Sequence, residues 1–109
     1  MSHTQMMKGI LDGCLLGIIK GKETYGYEMA ERLSNYGFSA VSEGTIYPIL
    51  MRMQREGLVT SVRKESTAGP KRKYYSLTIK GEQALEDFLI RWKQLEENVN
   101  AVITQEIKK

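Results

Sequence analysis

The sequence predicts a mainly α-helical protein with one small β-hairpin and a long last helix. In three stretches before residue 57, apolar residues recur at the spacing of amphipathic helices. Residues 58–77 then contain two short segments of strand-like composition on either side of a turn-forming segment. Beyond Thr78, apolar residues recur at alternating intervals of three and four, which is typical of a helix that packs along another helix.

The first helix is predicted over residues 4–20, where the apolar positions lie on one side. Gly9, Gly13 and Gly17 recur every four residues on another side of this helix. Because an interior glycine costs roughly 1 kcal/mol relative to alanine, three in a stripe indicate that a bulky group approaches the backbone. Ordinary close packing against a neighbouring helix is the alternative explanation.

The next two helices are bounded by residues that begin and end helices. Thr24 is predicted to cap the second helix, and Gly37 is predicted to end it. Ser42 or Thr45 is predicted to cap the third helix, which ends at Gly57.

A basic hairpin follows, with strands predicted over residues 58–64 and 71–77 and a turn over residues 65–70. Thr78 is predicted to cap the last helix. Two short helices followed by a hairpin are the elements of a winged helix-turn-helix. We therefore expect residues 1–78 to form such a domain, including the first helix, and residues 79–109 to form a dimerisation helix.

The composition gives little support for catalysis. The 109 residues carry a formal net charge of +3 and include one histidine and one cysteine. His3 lies near the start of the chain and Cys14 on the apolar side of the first helix, so neither a catalytic pair nor a zinc site is expected. We expect no enzyme activity, no cofactor and no metal. The sequence also lacks a membrane span and a secretory signal, which predicts a cytoplasmic protein.

The third helix has the features of a helix that enters the major groove of DNA. Burial of its apolar side leaves Ser42, Thr45, Tyr47 and Arg52 able to face outward. Thr45 suits a thymine methyl or a phosphate, Tyr47 suits a phosphate or base edges, and Arg52 suits the backbone. Tyr25, at the start of the second helix, is expected near a phosphate.

Cations are concentrated in the predicted hairpin. Residues 59–80 contain six lysines or arginines and a single acid. We expect Lys64, Lys71, Arg72 and Lys73 to contact the sugar-phosphate strand or to enter the adjacent minor groove. A solvated basic loop explains the charge equally well. Lys73 is also as well suited to covering the domain with its alkyl chain as to touching DNA.

The last helix carries an apolar seam with heptad-like spacing. The seam residues are Leu85, Phe88, Trp92, Leu95, Val99 and Val102. Homodimerisation through this seam is the economical explanation, and packing onto the chain's own first helix is the alternative. The rival function is a protein-interaction module that uses the seam for a different partner and binds DNA weakly or not at all.

The ordered motifs of the chain resemble the PadR family of bacterial transcriptional regulators, in particular its short subfamily with one C-terminal helix. The matching segments are Tyr25-Gly26-Tyr27-Glu28, Gly44-Thr45-Ile46-Tyr47-Pro48-Ile49-Leu50, Glu56-Gly57-Leu58-Val59 and Arg72-Lys73-Tyr74-Tyr75-Ser76-Leu77-Thr78 with Gly81. The resemblance implies a winged-helix homodimer with the first helix swapped onto the partner. It also implies repression at an inverted-repeat operator on double-stranded DNA, relieved by small aromatic or drug-like molecules.

The resemblance further implies an effector site at the dimer interface. In one multidrug-responsive branch, a tryptophan on the last helix of each subunit flanks a pore and stacks on planar compounds. Trp92 and Glu96 are similar in position, and Asp12 and Gly13 fall near the pore-facing part of the first helix. We hypothesise that the glycine stripe accommodates Trp92 or Phe88 of the partner subunit, or leaves a slot for a flat ligand between two Trp92 rings. Packing of Trp92 in the dimer core alone is the alternative.

Overall fold

The computed structural model describes residues 9–66 and 69–108. Within them, three helices are followed by an antiparallel hairpin and a long final helix. The helices α1, α2 and α3 span Ile10–Gly21, Gly26–Asn35 and Glu43–Arg55, the strands β1 and β2 span Val59–Ser66 and Gly69–Leu77, and the last helix α4 spans Ile79–Ile107. The predicted fold class is confirmed. The predicted start of the first helix at residue 4 lies outside the described residues.

The core lies where α1, α2 and α3 meet the base of the hairpin and the start of α4. Its buried apolar residues are Leu11, Leu15, Leu16, Ile19, Met29, Leu33, Ile46, Leu50, Met53, Val59, Tyr75 and Leu85. Only one of them, Leu85, belongs to α4, and every residue of that helix from Leu89 to Ile107 is exposed. The body of the fold therefore holds only the first third of its longest helix.

Glycines end α2 and α3, as the sequence predicts. Gly37 and Gly57 both adopt positive φ angles, of 103° and 81°. After α3, the Gly57 N–H bonds to the Gln54 carbonyl at 3.1 Å and the Leu58 N–H to the Met53 carbonyl at 2.9 Å. This paired arrangement satisfies the last carbonyls of the helix and turns the chain directly into β1.

The start of α4 is fixed against the end of α3. The Thr78 hydroxyl accepts a hydrogen bond from the Gly81 N–H at 3.0 Å and donates one to the Gly57 carbonyl at 2.6 Å. A Cβ at Gly81 would lie 2.0 Å from the Leu58 carbonyl oxygen, so only glycine fits there. The predicted cap by Thr78 is confirmed.

Thr24 has a different role from the predicted cap. Tyr25 occupies the N-cap position of α2, and Thr24 is fully buried one residue earlier. Its backbone pairs with Tyr75 beside β2, with the Tyr75 N–H donating to the Thr24 carbonyl at 2.8 Å. Its hydroxyl donates to the Glu28 carboxylate at 2.7 Å. Thr24 therefore joins the start of α2 to the hairpin.

The hairpin is longer than predicted. β1 continues to Ser66 and β2 begins at Gly69, so most of the segment predicted as a turn over residues 65–70 is strand. The register shifts between Lys64 and Ser66, which is the irregularity expected of a bulge.

Candidate nucleic-acid interface

The third helix, α3, has a buried side and an exposed side. Ile46, Leu50 and Met53 are buried in the core. On the opposite side lie four exposed residues at intervals of four, three and four, here called the outer ridge: Gly44, Pro48, Met51 and Arg55. The predicted DNA contacts Thr45 and Tyr47 flank this ridge, and Ser42 is exposed at the N-cap position.

Tyr47 is wedged between α3 and the start of α2. A Cβ at Gly26 would lie 2.8 Å from the Tyr47 ring, so the ring occupies the space that a side chain at Gly26 needs. Burial, and next the negative charge of Glu43, raise the pKa of the Tyr47 hydroxyl. This hydroxyl therefore stays protonated at neutral pH and is able to donate a hydrogen bond.

Arg52 lies on the edge of α3 that faces α1. One guanidinium nitrogen is 2.7 Å from the Asp12 carboxylate, and another is 3.1 Å from the Glu56 carboxylate. The predicted DNA contact Arg52 and the predicted effector residue Asp12 are thus paired with each other, and both roles stay predictions. Arg55, on the outer ridge, makes no ion pair within residues 9–66 and 69–108.

The register of the hairpin places four cations on two consecutive rungs. Arg63 lies opposite Lys73, and Lys64 lies opposite Arg72. Like charges directly opposite each other in an antiparallel pair destabilise the sheet. Because consecutive side chains point to opposite faces of a strand, each face of the hairpin carries one such pair.

The Lys64–Arg72 rung is held by aromatic rings and an acid. Lys64 donates a hydrogen bond to Glu23, which lowers the pKa of that carboxyl group, and its ammonium lies 5.3 Å from the Tyr74 ring centroid. The Arg72 guanidinium lies 4.5 Å from the Tyr25 ring centroid. The two tyrosine rings meet edge to face at 5.1 Å. Three predicted DNA contacts, Tyr25, Lys64 and Arg72, therefore also fasten the hairpin to the body.

An open cleft of about 400 Å³ lies between the start of α2, the start of α3 and the hairpin. It is lined by three tyrosines, four cations and one acid: Tyr25, Tyr27, Tyr47, Arg63, Lys71, Arg72, Lys73 and Glu43. Among the described residues, Arg63, Lys71 and Lys73 have no acidic partner within ion-pair distance. The cleft therefore concentrates positive charge beside α3.

Three of these lining residues were missed by sequence reasoning: Tyr27, Arg63 and Glu43. The cationic character of Arg63 was visible in the sequence, but its direction depends on a hairpin register that composition does not determine. Glu43 is the first residue of α3, where acids are common because they favour the helix N-terminus. Only the folded arrangement brings it into a basic cleft.

The predicted effector residues lie on two different helices, α1 and α4. Gly13 is buried, and a Cβ there would lie 2.3 Å from the Phe88 ring of the same chain. At Gly13 the chain's own Phe88 therefore fills the space, and occupation of the rest of the stripe by a partner subunit stays a prediction. At Gly17, nothing lies within 4 Å of such a Cβ. The glycine stripe is therefore not one continuous contact surface for an aromatic ring. Trp92 and Glu96 are exposed one turn apart on α4.

The predicted dimer seam divides into two parts. Leu85 and Phe88 pack within the chain, against the core and α1. The remaining residues are between 38% and 60% exposed: Trp92, Leu95, Val99 and Val102. The alternative of packing onto the first helix thus holds for the start of the seam, and residues 9–66 and 69–108 leave the rest largely exposed.

The part of the chain that the structure describes contains no metal-binding cluster and no membrane-spanning helix, and its cysteine has a shifted pKa. No group of three or more metal-binding side chains occurs among residues 9–66 and 69–108. Burial raises the pKa of the Cys14 thiol, which disfavours the reactive thiolate. In the same residues, no helix combines the length and apolar character needed to cross a bilayer.

The two helices α2 and α3 followed by the hairpin define a winged helix-turn-helix protein. Residues 15–87 match the model of the Transcriptional regulator PadR-like family. The chain therefore belongs to the PadR-like family, whose members are transcriptional regulators and not enzymes. The resemblance found in the sequence is confirmed.

Three comparisons with known proteins illustrate the relationship. A PadR-like transcriptional regulator from Bacillus cereus strain ATCC 14579 has a crystal structure with 49% identity and a TM-score of 0.83, covering 91% of this chain and 96% of that chain. The negative transcriptional regulator PadR of Bacillus subtilis (strain 168) is 31% identical over 94 residues, covering 83% of this chain. The chain spans 50% of that protein's length. The crystal structure of Bacillus subtilis PadR in complex with operator DNA has 29% identity and a TM-score of 0.68, covering 74% of this chain and 47% of that chain.

Proposed function

We propose that the protein is a homodimeric, DNA-binding transcriptional repressor that acts in the cytoplasm on an inverted-repeat operator. The observation that carries this proposal is the pair of like-charged rungs in the hairpin, Arg63 opposite Lys73 and Lys64 opposite Arg72. The Arg63–Lys73 rung, which has no acidic partner among the described residues, weakens the hairpin itself. A polyanion beside the hairpin offsets this repulsion, and the phosphate backbone of DNA is such a polyanion.

The position of the cations relative to α3 supports the same proposal. The cleft joins the hairpin to the start of α3, whose outer ridge is fully open. The major groove of B-DNA, about 12 Å wide, admits an α-helix. With α3 in the groove, the hairpin cations lie along the flanking sugar-phosphate strand, and Tyr47 donates its hydroxyl proton to a phosphate or a base edge.

The dimer is supported by the uncovered side of α4. Beyond Phe88, the seam residues are joined by further exposed apolar side chains, Ile103 and Ile107. A second copy of the helix covers this side. In this proposal residues 1–78 bind DNA and residues 79–109 dimerise, so that two α3 helices lie about 34–36 Å apart when the half-sites are one turn apart.

DNA binding is tested by fluorescence anisotropy with the duplex immediately upstream of the protein's own gene, over a series of salt concentrations. We expect Lys71→Ala to lower the slope of log affinity against log salt by about 0.9 for each lost phosphate contact, and so by about 1.8 for the two subunits of the dimer. The matched control is Lys93→Ala, an exposed lysine on α4, which leaves the slope unchanged. Binding that is independent of salt contradicts the proposal.

Dimerisation is tested by sedimentation velocity. Val99→Glu places a charge on the seam and should convert the dimer to a monomer, because the carboxylate is desolvated at the interface. Ala101→Glu adds the same group to an exposed position on another side of α4 and should leave the dimer intact. A wild-type protein that is monomeric, and associates only with a different protein, supports the interaction module instead.

The effector belongs to the proposal as a small planar aromatic ligand that releases the repressor from DNA. Support comes from Trp92 and Glu96, which stay accessible on α4 and lie within the uncovered stretch. The aromatic ring suits stacking, and the carboxylate favours a cationic ligand. Trp92 is the single tryptophan, so its fluorescence reports directly on this position.

Planar cationic dyes should quench the Trp92 fluorescence, and the same dyes should lower the affinity for the operator duplex. Glu96→Gln should weaken the quenching because the attraction for the dye's positive charge is lost. A broad dye panel that leaves the fluorescence unchanged contradicts the effector site but not DNA binding.

A further inference from the structure

The outer ridge of α3 is almost devoid of hydrogen-bonding side chains. Gly44 has no side chain, Pro48 has neither a polar side-chain group nor a backbone N–H, and Met51 has only a thioether sulfur. Arg55, at the last residue of the helix, is the one polar member of the ridge. Whatever this ridge recognises along most of its length is therefore recognised by apolar contact.

Met51 is the large apolar side chain of this ridge, with 64% of its surface exposed. We propose that Met51 is a specificity-determining residue whose side chain contacts the C5-methyl group of a thymine in the major groove. This inference rests on the proposed function, because it requires α3 to enter that groove.

The chemistry of the major groove identifies this partner. Each base pair presents hydrogen-bond donors and acceptors there, and the thymine methyl is the apolar group among them. An unbranched thioether chain with several rotatable bonds adapts its shape to such a methyl group. Gly44 and Pro48 add little height to the ridge, so the helix can approach the bases closely enough for Met51 to reach them.

The polar residues of α3 are placed to position the helix. Tyr47 packs against Gly26 on one edge, and Arg52 is held by Asp12 on the other. Arg55 continues the ridge one turn beyond Met51 and suits a phosphate at the groove wall. These residues set the depth and direction of the helix, and Met51 is the large apolar side chain that the centre of the ridge presents to the bases, between the flanking residues Thr45 and Tyr47.

The competing explanation is that Met51 is an ordinary exposed apolar residue, which is common on protein surfaces. Replacing thymine by uracil separates the two explanations, because the substitution removes the C5-methyl group and leaves every hydrogen-bonding group in place. The probe is a duplex enriched from a random pool by the wild-type protein. Each thymine of the duplex is replaced in turn, at equivalent positions of both half-sites.

At one or two thymines, we expect uracil to weaken wild-type binding roughly fourfold per half-site, the effect of one buried methyl group. Met51→Ala should bind the thymine and uracil duplexes equally, whereas Met51→Leu should keep the discrimination. Ile79→Ala removes an exposed apolar side chain at the start of α4 and should keep it as well.

The inference is overturned if uracil is tolerated at every position, or if Met51→Ala retains the full uracil penalty. In both cases a duplex has been enriched and DNA binding itself stands. A wild-type protein that enriches no duplex overturns the proposed function and the role of Met51 together.

Discussion

Phe88 lies directly on Gly13 of the same chain, so close that a Cβ at Gly13 would be 2.3 Å from the phenyl ring. This contact joins α4 to α1 before α4 leaves the body of the protein. It also explains why Phe88 is half-buried while the seam residues after it are exposed. The start of the seam therefore serves the fold of one chain, and its continuation is free to serve a dimer.

Gly13→Ala should destabilise the protein, because the new methyl group forces the Phe88 ring out of its position. Overpacking of this kind costs about 1–3 kcal/mol, against a gain in helix propensity of at most about 1 kcal/mol. Gly17→Ala is the matched control, since nothing lies within 4 Å of its added Cβ. We expect thermal unfolding to begin at a lower temperature in the first variant and at a higher temperature in the second. Equal shifts contradict the packing described.

The element order could be predicted from sequence because local signals agreed with one another. Gly37 and Gly57 end helices at positive φ angles, and Thr78 caps α4 through its hydroxyl. The role of Thr24 could not be predicted, because its pairing with Tyr75 joins residues far apart in the chain. Threonine is a common helix-capping residue, but the pairing with Tyr75 places Thr24 one residue before the cap position.

The sequence predicted a basic DNA-binding surface, but it did not predict how the residues of that surface are arranged. The sequence indicates that the hairpin is basic, yet the directions of Arg63 and Lys64 follow only from the strand register. Likewise, helical spacing places both Arg52 and Arg55 away from the centre of the buried side. Which arginine is paired depends on Asp12, 40 positions earlier in the chain.

Arg52 and Arg55 should have separable effects on stability and DNA binding. Arg52→Ala removes two ion pairs and leaves Asp12 without its partner, which should lower the free energy of unfolding by up to about 1 kcal/mol, since the side chains are partly exposed. Arg55→Ala should leave stability unchanged and weaken binding to DNA, with a salt slope smaller by about 0.9 per subunit, or about 1.8 for the dimer. Urea unfolding and anisotropy titrations measure the two effects. An Arg52→Ala variant with wild-type stability and a reduced slope reverses these roles.

Neutralising one charged rung of the hairpin should have the opposite effect on stability from neutralising the other. Replacing both Arg63 and Lys73 by Gln removes a like-charge pair and should stabilise the fold by a few tenths of a kcal/mol to about 1 kcal/mol. Replacing both Lys64 and Arg72 by Gln also removes cation–aromatic contacts and a bond to Glu23, and should destabilise it. Both double variants should bind DNA more weakly because positive charge is lost.

The two double variants are compared with the wild-type protein by thermal unfolding, which measures stability, and by DNA titrations in low salt, which measure affinity. If neutralising Arg63 and Lys73 leaves DNA affinity unchanged, the cleft-facing rung has no part in binding. If it lowers stability, the repulsion inferred from the register is absent.

The contact between Lys64 and Glu23 should make part of the stability dependent on pH. The hydrogen bond from Lys64 is the main cause of the lowered pKa of Glu23 in the folded protein. A carboxyl group with a lowered folded-state pKa contributes its full stability above its unfolded value of about 4.3, and the contribution is lost as the pH falls below that value. Glu23→Gln should therefore lower the unfolding temperature at neutral pH and reduce its further decline in acid.

The matched control is Glu31→Gln. Glu31 is an exposed acid on α2 without an ion pair among the described residues, so this variant should follow the wild-type curve. Parallel acid declines for wild type and Glu23→Gln contradict this role of Glu23.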